Sequence, residues 1–171
     1  MRFKGYIQVY TGDGKGKTTA GIGLAVRAVG AGLKVAFFQF FKDGTSSEVK
    51  VLKNLGIYYQ NFGISGFVKR KIDEKLKSLI MEGWQKAKDV IASGEFQLVI
   101  LDEFVYVLNW DIVKTEELVE FLKNKPEDVE LVFTGRDAPQ ELIESADLVT
   151  LMKKVKHYFE KNIPARKGIE K

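Results

Sequence analysis

The chain has 171 residues, no cysteine, one histidine and a formal net charge of +4. That length is enough for one domain with a sizeable core. The missing cysteines exclude disulfides and thiolate metal sites, and a lone histidine excludes a multi-histidine zinc centre within one chain. No apolar run reaches the ~20 residues needed to cross a bilayer. The expectation is a cytoplasmic protein without a leader peptide. The mild basic excess suits anionic small molecules as well as nucleic acid, and decides nothing alone.

In chain order, Tyr6–Tyr10 reads as a first strand and runs into the segment "TGDGKGKTT". From Lys17 to about Ala31 apolar residues crowd every side, the pattern of a buried helix, closed by Gly30 and Gly32. Lys34–Phe41 is a second strand, apolar nearly throughout and so covered on both faces. A short helix is expected over Glu48–Asn54 and a third strand over Ile57–Phe62. Leu76, Leu79, Ile80, Trp84, Ala87, Val90 and Ile91 recur at helical spacing, which predicts a long helix over Asp73–Ser93 ended by Gly94. Met81 and Trp84 are assigned to its core face. Gln97–Glu103 is a fourth strand. Thr115–Asn124 is a helix with Thr115 as N-cap and Glu116 and Glu117 in its first turn. Glu130–Gly135 is a fifth strand, Pro139–Ala146 a short helix with proline near its start, and Leu148–Val155 a sixth strand. Lys156–Lys171 is a basic tail with no clear period. Strands that alternate with helices and are themselves continuously apolar mark a mainly parallel sheet with helices on both faces.

The segment after the first strand has the spacing G-x-x-x-x-G-K-[ST] of a phosphate-binding loop, except that Thr11 stands where the first glycine is usual. Glycines let backbone N–H groups turn inward into an anion-binding nest, and the following helix adds its positive end. Lys17 supplies a point charge for phosphate oxygens, and Thr18 offers a hydroxyl to a divalent cation. In the fourth strand Asp102 and Glu103 sit at the carboxyl end, the edge where open α/β sheets bind ligands; acids there hold a metal or its water shell. Together these features point to a nucleoside triphosphate with its cation. They leave the chemistry open: Glu103 could equally orient water in a hydrolase, an acceptor in a kinase, or a metal in another transferase. A nucleic-acid-binding ATPase would want a basic face with exposed aromatics. The lysines here are instead spread over helices and tail.

The segments "TGDGKGKTTAGIGLAVRAVGAGLKVAFFQFFK", "LVILDEFVYVL", "FTGRDAPQELIESADLVTLMKKVKH" and "GIE" resemble, in order and over nearly the whole chain, the corrinoid adenosyltransferases of the CobA/BtuR type. The resemblance implies a single-domain α/β fold over 1–171, P-loop NTPase-like and RecA-like, with a mainly parallel six-stranded sheet and a basic C-terminal tail. It implies transfer of the 5′-deoxyadenosyl group of ATP to Co(I) of a reduced corrinoid, with release of triphosphate, in cobalamin biosynthesis or salvage. Such enzymes lay ATP along the loop in the sense opposite to most phosphate-loop enzymes, so the loop grips the leaving group. By this resemblance Gly12, Asp13, Gly14, Lys15, Gly16, Lys17, Thr18 and Thr19 hold the triphosphate. Thr18, Asp102 and Glu103 attend Mg²⁺ or Mn²⁺. Lys17, Glu103 and Phe67 are the residues expected to carry catalysis. Phe67 follows Gly66 as in a family pair whose aromatic helps remove the lower cobalt ligand, although Lys69 replaces a tryptophan found two positions on in some members. Arg136, after the fifth strand, is expected either on phosphate or in an ion pair, and Lys156-His157 matches a family tail motif. The implied partners are ATP, a reduced corrinoid, a flavoprotein reductant and a second copy of the chain, with neither nucleic acid nor membrane. Family members often carry an N-terminal helical lid, and this chain starts directly at the sheet.

Overall fold

The computed structural model describes residues 3–65 and 72–170. Six strands form one sheet: β1 (Ile7–Thr11), β2 (Val35–Phe40), β3 (Tyr58–Phe62), β4 (Leu98–Asp102), β5 (Glu130–Thr134) and β6 (Leu148–Leu151), in the order β3-β2-β4-β5-β1-β6. Every pairing is parallel, so every carboxyl end lies on one edge. Among the described residues the α-helices are α1 (Lys17–Gly30), α2 (Glu48–Asn54), α3 (Glu74–Ser93), α4 (Phe104–Asn109), α5 (Thr115–Leu122) and α6 (Gln140–Ser145). A 3₁₀ turn over Tyr158–Lys161 lies in the tail.

Alternation along the strands divides the core in two, because successive side chains leave opposite faces. From β2, Val35 and Phe37 pack with Ala25 and Ala28 of α1 and with Val49 and Leu52 of α2. Ala36, Phe38 and Phe40 face the other way, onto Ile80, Trp84 and Ile91 of α3, Phe104 of α4 and Leu118 of α5. Burying each such large side chain contributes roughly 1.5–3 kcal/mol. On the α3 side the rings interlock: Trp84 lies 5.0 Å from Phe104, and Phe104 lies 5.1 Å from Phe40, between ring centroids. Trp84 also donates its indole N–H to Glu117 Oε1 at 2.9 Å.

Most expected elements stand within a residue or two of their predicted bounds, and α2 matches its span. In α3, Asp73 caps the start by accepting from the Leu76 N–H at 2.8 Å, and Gly94 ends it in the left-handed conformation. Five expectations need correction. Helix α1 is not buried all round: Gly21, Ala25 and Ala28 form one buried stripe and Val26 is 45% exposed. Lys114, not Thr115, occupies the N-cap position of α5, with no side-chain cap bond. Met81 is 40% exposed, off the buried stripe that Trp84 occupies. The sixth strand stops at Leu151, because Met152 turns away to meet the loop after β1. Helix α4 follows directly on the fourth strand, where the sequence reading had no element.

Candidate active site

Strands β1, β4 and β5 set the site. β5 lies between loop-bearing β1 and acid-bearing β4. The loop after β1 leads into α1, whose N-cap is Gly16 at φ 124°, a conformation that favours glycine. Helix α1 has no side-chain N-cap bond and no acidic residue in its first turn. Its first N–H groups and positive end are thus available to an anion.

The loop is braced from the far end of the chain. Gly14 N–H donates to Met152 O at 2.7 Å, Met152 N–H to Thr11 O at 2.8 Å, and Lys154 N–H to Asp13 Oδ1 at 2.9 Å. A Cβ at Gly12 or Gly14 would come within 2.5 or 2.6 Å of Met152 O, so the close approach requires glycine at both. Asp13 thus has a bracing partner, and that backbone bond holds its carboxyl below the usual range.

Lys17 is buried and turns its ammonium back onto Gly12 O and Gly14 O, at 2.8 and 2.7 Å. Burial, and then Arg136, lower its pKa. Asp102 is wholly buried at the end of β4. Its Oδ1 accepts from Thr18 Oγ1 at 2.8 Å and Thr134 Oγ1 at 2.7 Å; its Oδ2 accepts from Lys42 Nζ at 2.9 Å and Gln39 Nε2 at 3.2 Å. Gln39 in turn accepts from the Tyr59 hydroxyl at 2.8 Å. Glu103 is the next residue and sits at φ 63°, with its N–H donating to Thr134 Oγ1 at 2.9 Å. Burial, then the neighbouring Asp102 charge, push its pKa up to about 7 against the pull of Lys42, Lys17 and Arg136.

A cleft of about 700 Å³ opens over these groups. Its lining brings together Gly14, Lys15, Gly16, Lys17, Thr18 and Thr19 with Glu103 and Arg136, all expected from the sequence. Gly12 and Asp13 are outside that lining: Gly12 O accepts from Lys17, Asp13 is exposed and braced by the Lys154 N–H, and Asp102 is buried beside Thr18. Phe67 lies outside the described residues. The cleft also takes in Lys42, Tyr106, His157 and the tail residues Gly168, Ile169 and Glu170. Glu170 reaches Lys15 at 3.9 Å and pairs with Arg166 at 2.8 Å. Gln39, Lys42, Thr134 and Tyr59 had no assigned role in the sequence reading. The available signal was that Gln39 and Lys42 bound the Q-F-x-K stretch, and Thr134 opens the T-G-R stretch, by which the chain resembles its family.

A family model, ATP:corrinoid adenosyltransferase BtuR/CobO/CobP, matches residues 3–170. The chain belongs to this family. It is 37% identical over 169 residues to the corrinoid adenosyltransferase of Escherichia coli (strain K12), covering 98% of this chain and 86% of that protein. It is 37% identical over 172 residues to the corrinoid adenosyltransferase of Sinorhizobium sp, covering 98% and 80%. The fold is similar to that of the RadB recombinase, with a TM-score of 0.53 at 17% identity over 91% of this chain and 77% of that one. A likeness to EssC (ATPases 2 and 3) from Geobacillus thermodenitrificans has a TM-score of 0.50 at 17% identity, over 96% of this chain and 35% of that one. Both likenesses concern the fold alone. No helix among the described residues is long and apolar enough to cross a membrane.

Proposed function

We propose that the cleft holds ATP with its triphosphate on the loop between β1 and α1, for transfer of the 5′-deoxyadenosyl group to Co(I) of a reduced corrinoid. The cobalt electron pair forms the Co–C5′ bond, the C5′–O bond breaks, and its electrons leave with triphosphate. The observation that carries this reading is the open start of α1, ringed by Lys17, Lys42 and Arg136 in a chain of the corrinoid adenosyltransferase family. The attacking atom belongs to the corrinoid, so no side chain has to serve as nucleophile or base. The protein's work is to fix the triphosphate and neutralise the charge that grows on it.

Lys17 and the loop N–H groups grip phosphate oxygens, with Lys15 and Arg136 at the rim. The donor set suits Mg²⁺ or Mn²⁺: a hydroxyl on Thr18 and a carboxylate on Glu103 are hard oxygen ligands, the kind that share such a cation with substrate phosphates. Phosphate oxygens of the nucleotide would complete the shell of such a cation. The cation supplies charge neutralisation. Both Asp102 oxygens already accept two bonds each, so Asp102 serves by orienting Thr18. Phe67 remains the proposed aromatic for the lower face of the corrin. A flavoprotein reductant, a homodimer and a cytoplasmic setting complete the reading. The test is the phosphorus product: incubation with ATP, Mg²⁺ and chemically reduced corrinoid should yield triphosphate by ³¹P NMR, and ADP or orthophosphate instead would overturn it.

A further inference from the structure

Two neighbouring strands end in the same unusual way. Phe41, just past β2, has φ 59°, and Glu103, just past β4, has φ 63°. A left-handed conformation costs a bulky residue roughly 1 kcal/mol or more, and such outliers gather at functional sites. At β4 the turn presents Glu103 to the cleft. At β2 it presents the next residue, Lys42.

The backbone there is fixed from three directions. Phe41 N–H donates to Phe62 O at 2.9 Å, and Asn61 Nδ2 donates to Lys42 O at 3.3 Å. Gly63 lies so close that a Cβ on it would be 2.3 Å from Lys42 N. The Phe41 ring is held edge-on by Trp110, 5.0 Å away between centroids. This rigid turn delivers an ammonium to Asp102 Oδ2 at 2.9 Å and to 3.4 Å from Thr18 Oγ1. Asp102 is fully buried, but the Lys42 side chain keeps 30% of its exposure and lines the cleft beside Lys17 and Thr18.

Lys42 neutralises the buried Asp102 charge, but that takes only one of its N–H groups, because Thr18, Thr134 and Gln39 already give the carboxylate three further donors. An ammonium carries three N–H donors; Asp102 Oδ2 takes one at 2.9 Å and Thr18 Oγ1 a second at 3.4 Å. The third is left for an anion that the phosphate loop would place beside Thr18.

We propose that Lys42 is a second polyphosphate-binding cation, anchored by Asp102 and Thr18 and presenting its remaining N–H and its charge to the ligand. Lys17 grips from within the loop, and Lys42 from the end of β2. The ligand class is the inorganic polyphosphate chain itself, the part that a nucleoside triphosphate and free triphosphate share. The inference rests on the reading of the loop as a phosphate site.

The test is calorimetric titration with inorganic tripolyphosphate in EDTA, which removes both metal and corrinoid from the question. Lys42→Met alone would strand the buried Asp102 charge and could fail to fold, so the comparison is made within Asp102→Asn, where that charge is gone. Adding Lys42→Met to Asp102→Asn should weaken tripolyphosphate binding about tenfold, the loss of one charge-assisted contact. Adding Lys42→Arg should retain most of the affinity. Thermal melts of each variant confirm folding. Lys17→Ala in the wild-type background serves as the reference. If it loses affinity while Lys42→Met leaves that of Asp102→Asn unchanged, Lys42 is only a counter-ion and the proposal falls. If Lys17→Ala also binds as the wild type does, the phosphate-loop reading falls with it.

Discussion

Thr134 donates its hydroxyl to Asp102 Oδ1 at 2.7 Å across the β4–β5 seam, and the same oxygen accepts the N–H of Glu103 at 2.9 Å. One buried hydroxyl thereby orients the carboxylate behind Thr18 and fixes the turn that presents Glu103. Thr134→Val preserves shape and removes both bonds, leaving a buried acceptor and an N–H short of partners. The expected cost is about 1–3 kcal/mol in chemical denaturation, together with reduced turnover. Thr134→Ser, which keeps the hydroxyl, should restore most of both. A Val variant as stable and active as the wild type would show that the bond is dispensable.

Lys17→Ala should abolish productive ATP binding. The loop would keep its braces on Met152 and Lys154, so the fold should survive while the cation closest to the phosphates is lost. Isothermal titration with ATP checks this, and retained affinity would count against the site assignment.

Glu103→Gln keeps size and hydrogen bonding but loses charge. Because the Glu103 carboxylate is strained by burial and by Asp102, the variant should fold at least as stably as the wild type. Its turnover should fall and should demand a higher Mg²⁺ concentration. An unchanged dependence of rate on Mg²⁺ would place the cation elsewhere.

Gly83→Ala tests the packing of α3 on the sheet. The added Cβ would come within 2.4 Å of Phe62 Cγ, and that ring lies 5.8 Å from Phe40 between centroids. Helix propensity favours alanine by about 1 kcal/mol, whereas forcing a methyl into a packed core costs typically 1–3 kcal/mol. Net destabilisation is expected, read as a lower Tm. A higher Tm would mean that Phe62 swings aside freely.

The alternation of apolar strands and helical periods was legible from the sequence because the central strands β2, β4 and β5 are buried on both faces. The phosphate loop was legible because its glycines and Lys17 are local in sequence. Strand order was not, since parallel pairing leaves no local mark of which strand neighbours which. The short helix α4 escaped notice because "FVYVLN" combines β-branched and aromatic residues directly after a strand, and tertiary packing of Phe104 and Val105 overrides that preference. Lys42 and Thr134 stood in motif stretches of the resemblance but without a role, for a different reason. Their meaning lies in Asp102, 60 residues from Lys42 and 32 from Thr134, and no periodicity joins them. The bracing stretch after β6 was read as more of that strand because its role is exercised through backbone groups at Met152 and Lys154, which any sequence could supply.

The bracing of Gly14 by Met152 and of Asp13 by Lys154 also has a consequence for biosynthesis. A ribosome making this chain emits the phosphate loop among its first residues but the braces more than a hundred residues later. β1 has no partner until β5 and β6 emerge, since both of its neighbours come from the last third of the chain. The growing polypeptide therefore carries its nucleotide motif from the outset without a nucleotide site. The site comes into being only near the end of translation, so a truncated product that has lost the last strand and tail should be unable to sequester ATP.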